Sequence, residues 1–150
     1  MTRPLAVIIG AGVAGLAAAW WLDKAGWRSL VIERADGLRE NGYMLGLSGL
    51  GYEAAGRMGL HEKLQAAAFR IDENGYRDRH GRELLRLRYR DCIRDRPYLA
   101  VRRTDLVRAL AEALPESCEI RFGETMSGFT DKGENVEIRL AGGETISADL

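Results

Sequence analysis

Residues 7–33 constrain the fold more strongly than any other part of the chain. Their first residues belong to an apolar, β-branched run, Leu5–Ile9, of the kind that forms a buried parallel strand. Gly10, Gly12 and Gly15 come directly after this run and have the spacing G-x-G-x-x-G. The combination predicts a strand, a tight turn and a helix that packs closely against the strand.

Each glycine of this motif has a separate physical role. Gly10 permits the tight turn, Gly12 leaves room for a pyrophosphate beside the backbone, and Gly15 lets the helix lie close to the strand. The start of the helix offers free N–H groups and the positive end of its dipole to phosphate oxygens. The helix is predicted to cover residues 13–25, with Gly26 as its C-terminal stop.

A second predicted strand, residues 28–32, follows the helix and leads into Glu33. A carboxylate at this position can accept hydrogen bonds from both hydroxyl groups of a ribose. The interval from Gly15 to Glu33 matches the roughly 20 residues of such a unit. Strand, glycines, helix, second strand and terminal acid therefore agree in predicting a dinucleotide-binding βαβ unit.

The same region also has the hydropathy of a signal peptide or a membrane span, because residues 5–22 are eighteen uncharged residues behind Arg3. The three glycines would weaken a membrane helix, and Asp23 and Lys24 close the run without a second membrane signal. We therefore expect no membrane segment.

Composition and charge exclude several classes of function. The 150-residue chain has 22 basic and 22 acidic residues, and this balance argues against a polyanion-binding protein. Arg86 and Arg88 alternate with apolar residues and raise the alternative of nucleic-acid binding, but interleaved acids favour a solvated sheet face or a domain interface. Cys92 and Cys118 lack metal or redox spacing, so we expect no metal site. The absence of a convincing export signal indicates reduced thiols in a cytoplasm.

The connection formed by residues 34–51 is rich in glycine and is predicted to be a long functional loop. Gly42, Gly46 and Gly49 would let its backbone pass close to a flat ligand. A flexible surface loop is the alternative, but the apolar residues at 43–45 and 47 argue against it.

The remaining segments are assigned from periodicity and turn residues. Predicted helices cover the residues from the N-cap Ser48 to Arg57, residues 60–68, and residues 105–113 after the N-cap Thr104. A basic and apolar alternation predicts strands around turns at residues 74–75 and 80–81, and another strand covers residues 98–103. Four short strands at 118–122, 126–130, 136–140 and 145–150 are predicted to form a meander.

Three blocks together resemble FAD-dependent monooxygenases of the aromatic and polyketide hydroxylase type, which share the para-hydroxybenzoate hydroxylase fold. The blocks are residues 10–34, which contain the glycine motif and its acid, residues 38–48, and residues 101–106. The first block is shared by many flavoproteins with two dinucleotide domains. The three blocks in this order are considerably more specific.

The resemblance implies an α/β fold, in which a Rossmann-like FAD-binding βαβ unit carries an added β-hairpin and meander. It identifies residues 1–150 as the N-terminal portion of the FAD-binding domain, and residues 69–100 as the start of the substrate-domain β-sheet. The chain stops inside a predicted strand, before the family's Gly-Ala-Asp-Gly motif. The expected partner is therefore the missing C-terminal part of the enzyme or a complementary subunit.

The resemblance also implies the chemistry. NAD(P)H reduces FAD, the reduced flavin forms a C4a-hydroperoxide with O₂, and one oxygen atom passes to an aromatic or polyketide-like small molecule. Glu33 is expected at the adenosine ribose and Arg103 at the flavin, and no catalytic side chain is assigned. The expected cofactor-binding residues are Gly10, Gly12, Val13, Ala14, Gly15, Glu33, Arg34, Gly46 and Arg103.

Two other functions stay open at this point. A FAD- or NAD(P)-dependent dehydrogenase or reductase shares the first motif but transfers no oxygen to a substrate. A non-catalytic dinucleotide-binding fragment would bind the cofactor without oxidising NADPH.

Overall fold

The structure is a computed structural model that describes residues 3–92 and 96–150. Residues 93–95, which fall within the predicted segment 69–100, lie outside the described residues. The chain divides into two compact units. The first unit comprises Met1–Gly42 and Leu106–Leu150, and the second comprises Tyr43–Asp105.

The described residues form a mixture of helices and strands. In chain order they are β1 (Leu5–Ile9), α1 (Val13–Lys24), β2 (Arg28–Glu33), β3 (Met44–Ser48), α2 (Gly49–Arg57), α3 (His61–Ala66), β4 (Glu73–Arg77), β5 (Glu83–Arg88), α4 (Tyr89–Cys92), β6 (Tyr98–Arg102), α5 (Arg103–Glu112), β7 (Cys118–Phe122), β8 (Met126–Asp131), β9 (Val136–Leu140) and β10 (Thr145–Ala148).

A parallel sheet forms the centre of the first unit, with β2 between β1 and β7. Four consecutive residues of β2 are buried, as expected for a parallel strand that is covered on both faces. Leu30 and Ile32 of β2 pack with Ile138, Leu140 and Ala148 of the strands that follow β7. The predicted βαβ unit is therefore present and is supported by a second layer.

The position of β7 corrects the sequence prediction. Residues 118–122 were expected to begin a meander with the last strands, but β7 runs parallel to β2, with Ser29 opposite Cys118 and Glu33 opposite Phe122. The hydroxyl of Ser117 donates a hydrogen bond of 2.7 Å to Asp23 and thereby ties the start of β7 to the end of α1. The meander consists of β8, β9 and β10, which pair antiparallel.

In the second unit, β3 pairs antiparallel with β6, so the predicted loop 34–51 contains a strand. Leu45 and Leu47 lie on one face of β3, opposite Val101 and Leu99 of β6. The alternation of these two leucines with Gly46 is a strand pattern, and the neighbouring glycines obscured it. Ser48 precedes α2 as predicted, although its side chain makes no capping hydrogen bond.

The hairpin of β4 and β5 also differs from its prediction. Residues 74–75 were expected to form a turn but lie inside β4, where Gly75 is opposite Arg86. The connection between the strands instead contains Asp78, whose Oδ1 accepts hydrogen bonds from the backbone N–H groups of His80 and Arg82. The predicted turn at residues 80–81 is correct, and the arginines of the hairpin are largely exposed.

Helix boundaries agree with the predictions to within a few residues. Helix α1 ends at Lys24 and is followed by Gly26, which has a φ of +87°. Thr104 was expected to cap the last helix, but α5 already begins at Arg103 and the Thr104 residue is buried. No helix of residues 3–92 and 96–150 has the length and apolarity needed to cross a membrane.

Candidate dinucleotide-binding site

The turn after β1 brings the glycine motif to the carboxyl end of the parallel sheet. Gly10 has a φ of +105°, a conformation that strongly favours glycine, and its N–H donates a 2.7 Å hydrogen bond to the carbonyl of Ile32. Gly12 follows as the N-cap of α1 in an extended conformation. The turn therefore joins the ends of β1 and β2 and directs α1 back across the sheet.

The start of α1 is open to a ligand. The N-cap Gly12 makes no side-chain capping hydrogen bond, and the first turn of the helix contains no acidic residue. The N–H groups of Val13, Ala14 and Gly15 belong to this first turn, where helix geometry provides no intrahelical acceptor. Together with the helix dipole, these donors favour an anion such as a pyrophosphate.

Gly15 is required by packing between the helix and the strand. A Cβ atom at Gly15 would lie 2.0 Å from the carbonyl oxygen of Gly10 and 3.2 Å from Cγ2 of Ile8. Both atoms belong to β1 or to the turn after it, so a side chain here would push α1 away from the sheet. The role that the motif assigns to its third glycine is thus visible in the contacts.

Glu33 ends β2 and holds the turn from the other side. Its Oε2 accepts a 2.9 Å hydrogen bond from the N–H of Ala11, and its Oε1 accepts a 3.0 Å hydrogen bond from the N–H of Ala35. The pKa of Glu33 lies below its usual value. The hydrogen bond from Ala35 is the largest cause, and the hydrogen bond from Ala11 and the charges of Arg39 and Arg34 act in the same direction, whereas burial opposes them. The carboxylate is therefore ionised and has acceptor capacity left for ribose hydroxyl groups.

A cavity of about 350 Å³ opens beside these elements in the first unit. Arg34 and Arg39 give it positive charge next to Glu33. The wall contributed by residues 124–126 was not predicted from the sequence, because the pairing of β7 with β2 was not predicted. The cavity is lined by Ile9, Gly10, Ile32, Glu33, Arg34, Arg39, Glu124, Thr125 and Met126.

The two other predicted cofactor residues, Gly46 and Arg103, belong to the second unit. The N–H of Arg103 donates a 2.9 Å hydrogen bond to the carbonyl of Tyr43, so the segment before β3 lies beside the start of α5. Their contact with a cofactor stays a prediction.

Gly46 has a structural role that the sequence did not indicate. A Cβ atom here would lie 2.6 Å from Cε2 and 2.9 Å from the hydroxyl oxygen of Tyr98. The Tyr98 ring also contacts the Tyr89 ring, with 5.2 Å between the ring centroids. Burial, together with the hydrogen bond and charge of Tyr89, raises the pKa of Tyr98 to about 12.

We expect the variant Gly46→Ala to displace the Tyr98 ring and to separate it from Tyr89. The free energy of unfolding should fall by about 1–3 kcal/mol, the usual cost of overpacking. The pKa of Tyr98 should move down toward its usual value, which spectrophotometric titration of the phenols measures. Gly75→Ala is the matched control, because no atom lies within 4 Å of its added Cβ. An unchanged titration curve in Gly46→Ala would contradict the assigned contact.

The family model described as "FAD binding domain" matches residues 4–150 of the chain. The chain belongs to this FAD-binding domain family. The match covers the glycine motif, Glu33 and the whole wall of the cavity, so the geometry above is that of a FAD-binding domain.

The curated relatives of this FAD-binding domain include an uncharacterized protein and a FAD-dependent monooxygenase. The protein Rv1260 of Mycobacterium tuberculosis (strain ATCC 25618 / H37Rv), which is uncharacterized, is 34% identical over 88% of this chain and 36% of its own length. The FAD-dependent monooxygenase asL4 of Sarocladium schorii is 30% identical over 89% of this chain and 32% of its own length. The chain thus spans about a third of the length of the curated relatives it matches.

Among solved structures, the tetracycline destructase Tet(51) is similar to the chain with a TM-score of 0.81 and 25% sequence identity. The similarity covers 99% of this chain and 38% of that protein. The structural match therefore supports the same fold over nearly the whole of this chain.

The residues of the first unit fit the adenosine diphosphate part of FAD. The uncapped first turn of α1 offers N–H donors to the pyrophosphate, and the Glu33 carboxylate offers acceptors to a ribose. The buried Oε2 of Glu124 has no hydrogen-bond partner among the described residues, so the cavity wall also holds an unused acceptor. The charge and the hydrogen-bonding groups of these residues thus fit an adenosine diphosphate.

Proposed function

We propose that this FAD-binding domain is the N-terminal portion of a cytoplasmic, FAD-dependent monooxygenase that consumes NAD(P)H and O₂. Its proposed substrate is an aromatic or polyketide-like small molecule. The activity is proposed for a protein of the relatives' length, and this chain contributes the site for the adenosine half of FAD.

The observation that carries the proposal is the convergence of three features on one cavity. The open N-terminus of α1, the carboxylate of Glu33 and the arginines Arg34 and Arg39 all belong to the first unit and lie at or beside the cavity. The names of the relatives support oxygen transfer, since asL4 is called a FAD-dependent monooxygenase. Tet(51) is called a tetracycline destructase, and tetracycline is a molecule of the proposed substrate class.

The chain's own residues bind and orient the cofactor. The N–H groups of Val13, Ala14 and Gly15 would hold the pyrophosphate, Glu33 the adenosine ribose, and Arg34 would add positive charge at the cavity. Gly46 and Arg103 are proposed to lie near the flavin end. When bound, FAD supplies the redox chemistry of the reaction.

Titration of the 150-residue chain with FAD tests the proposal, with flavin fluorescence as the signal and NAD⁺ as competitor. We expect saturable binding that NAD⁺ does not displace. A chain with native circular dichroism and no saturable signal would contradict the proposed site. For a protein of the relatives' length, oxygen consumption coupled to a hydroxylated product separates a monooxygenase from a dehydrogenase or reductase.

A further inference from the structure

The buried, unpartnered carboxylate oxygen of Glu124 is a feature that the roles assigned so far do not use. Its Oε2 has no hydrogen-bond partner among the described residues, although the residue lines the candidate cofactor cavity. Leaving a buried acceptor unsatisfied is unfavourable, and more so when the group is charged. A ligand that brings a hydrogen-bond donor to this atom would remove that cost.

Glu124 lies at the carboxyl end of the parallel sheet, next to Glu33. It follows β7 after Gly123, whose φ is +74°, and its N–H donates a 3.1 Å hydrogen bond to the carbonyl of Glu33. The strand order β1, β2, β7 therefore places three sets of groups side by side along this edge. They are the glycine turn and α1 after β1, the Glu33 carboxylate after β2, and the Glu124 carboxylate after β7.

The order of these groups matches the order of groups in a dinucleotide. The pyrophosphate is assigned to the start of α1 and the ribose to Glu33. The next group along the cofactor beyond that ribose is adenine, and the next group along the sheet edge is Glu124. Adenine carries a hydrogen-bond donor, its exocyclic 6-amino group, whereas a carboxylate only accepts.

We infer that Glu124 recognises the adenine ring of the cofactor, by accepting a hydrogen bond from the 6-amino group on its buried Oε2. The inference rests on the proposed function, because it requires the adenosine of FAD in this cavity. Glu124 also borders a neighbouring cavity, but its lining contains a second carboxylate, Glu144, and neither lysine nor arginine. The residues that line this neighbouring cavity therefore offer the Glu124 carboxylate no cationic side chain.

The test compares FAD with flavin–hypoxanthine dinucleotide, which carries a carbonyl oxygen where FAD carries the 6-amino group. Both are titrated by flavin fluorescence into the wild-type chain, Glu124→Met and Glu124→Gln. Methionine keeps the length of the side chain and removes the acceptor, and glutamine offers both a donor and an acceptor. The control is Glu134→Gln, which removes one negative charge from an exposed residue outside the cavity lining.

We expect the wild-type chain and Glu134→Gln to bind FAD at least about 10-fold more tightly than the hypoxanthine analogue, the effect of a hydrogen bond to a charged group. Glu124→Met should lose this preference by binding FAD more weakly. Glu124→Gln should bind both dinucleotides about equally, because its amide can pair with either group. Melting temperatures of the variants establish that the compared chains are folded.

Two results would overturn the inference while leaving the proposed function intact. One is a wild-type chain that binds FAD and the analogue equally. The other is a Glu124→Met variant that binds both dinucleotides more weakly by the same factor, as expected if Glu124 contacts the ribose or only supports the fold. A folded wild-type chain that binds neither dinucleotide would instead overturn the proposed function, and the inference with it.

Discussion

The variant Gly15→Ala is expected to lose much of the stability of the first unit. The added Cβ would lie 2.0 Å from the carbonyl oxygen of Gly10, a backbone atom that cannot move without opening the turn. Relief therefore requires α1 to shift away from β1, which exposes the buried Leu16 and Ala19. We expect the free energy of unfolding to fall by about 3 kcal/mol or more, at the upper end of overpacking effects.

Urea denaturation followed by circular dichroism measures this loss, and Gly37→Ala is its matched control. Gly37 has no atom within 4 Å of an added Cβ, so this second variant should change stability by about 0.5 kcal/mol or less. A domain of ordinary stability has about 5–15 kcal/mol in total, so Gly15→Ala is also expected to populate unfolded chains. Equal denaturation midpoints for Gly15→Ala and the wild type would contradict the packing described for α1.

The βαβ unit could be predicted from the sequence because its determinants are local. The apolar run of β1, the three spaced glycines and the acid after β2 lie within about 30 residues, the length of such a unit. The structure places α1 at Val13–Lys24, one residue shorter than predicted. Gly10 and Gly15 have the backbone conformation and the close contact that their places in the motif require.

The pairing of distant strands could not be predicted in the same way. β7 carries the same short apolar pattern whether it joins the meander or the parallel sheet, and its partner β2 is far away in sequence. β3 was missed because glycines interrupt its apolar alternation, and its partner β6 is also distant in sequence, although less so than β7 is from β2. Residues 74–75 have turn chemistry but lie in a strand, since the hairpin turns instead at the connection that holds Asp78.

These errors explain which part of the candidate site was missed. The residues predicted to bind the phosphate and the ribose lie on β1, α1 and β2 or directly after them, and the structure brings them together in the first unit. The wall formed by Glu124, Thr125 and Met126 depends on β7 lying beside β2. In the sequence, Glu124 is recognisable only as an acid directly after a glycine at the end of a predicted strand. The positive φ of that glycine and the pairing of the strand are known only from the structure.

The variant Glu33→Ala is expected to weaken the binding of FAD by about 2 kcal/mol, or roughly 30-fold, a typical value for hydrogen bonds to a charged group. Two effects contribute. The variant loses the acceptors for the ribose hydroxyl groups, and it also releases the N–H groups of Ala11 and Ala35 that the carboxylate holds. The second effect loosens the turn that presents α1 to the pyrophosphate.

A pair of competitors separates these two effects. ADP and 2′-deoxy-ADP are each used to displace FAD from the wild type and from Glu33→Ala, which forms a double-mutant cycle between the carboxylate and the hydroxyl group. If Glu33 binds the ribose, the wild type prefers ADP and the variant shows little preference. If the carboxylate only stabilises the turn, the variant binds ADP and 2′-deoxy-ADP more weakly by the same factor, and any preference of the wild type for ADP is unchanged. Glu134→Ala, which lies outside the cavity lining, should leave both affinities unchanged.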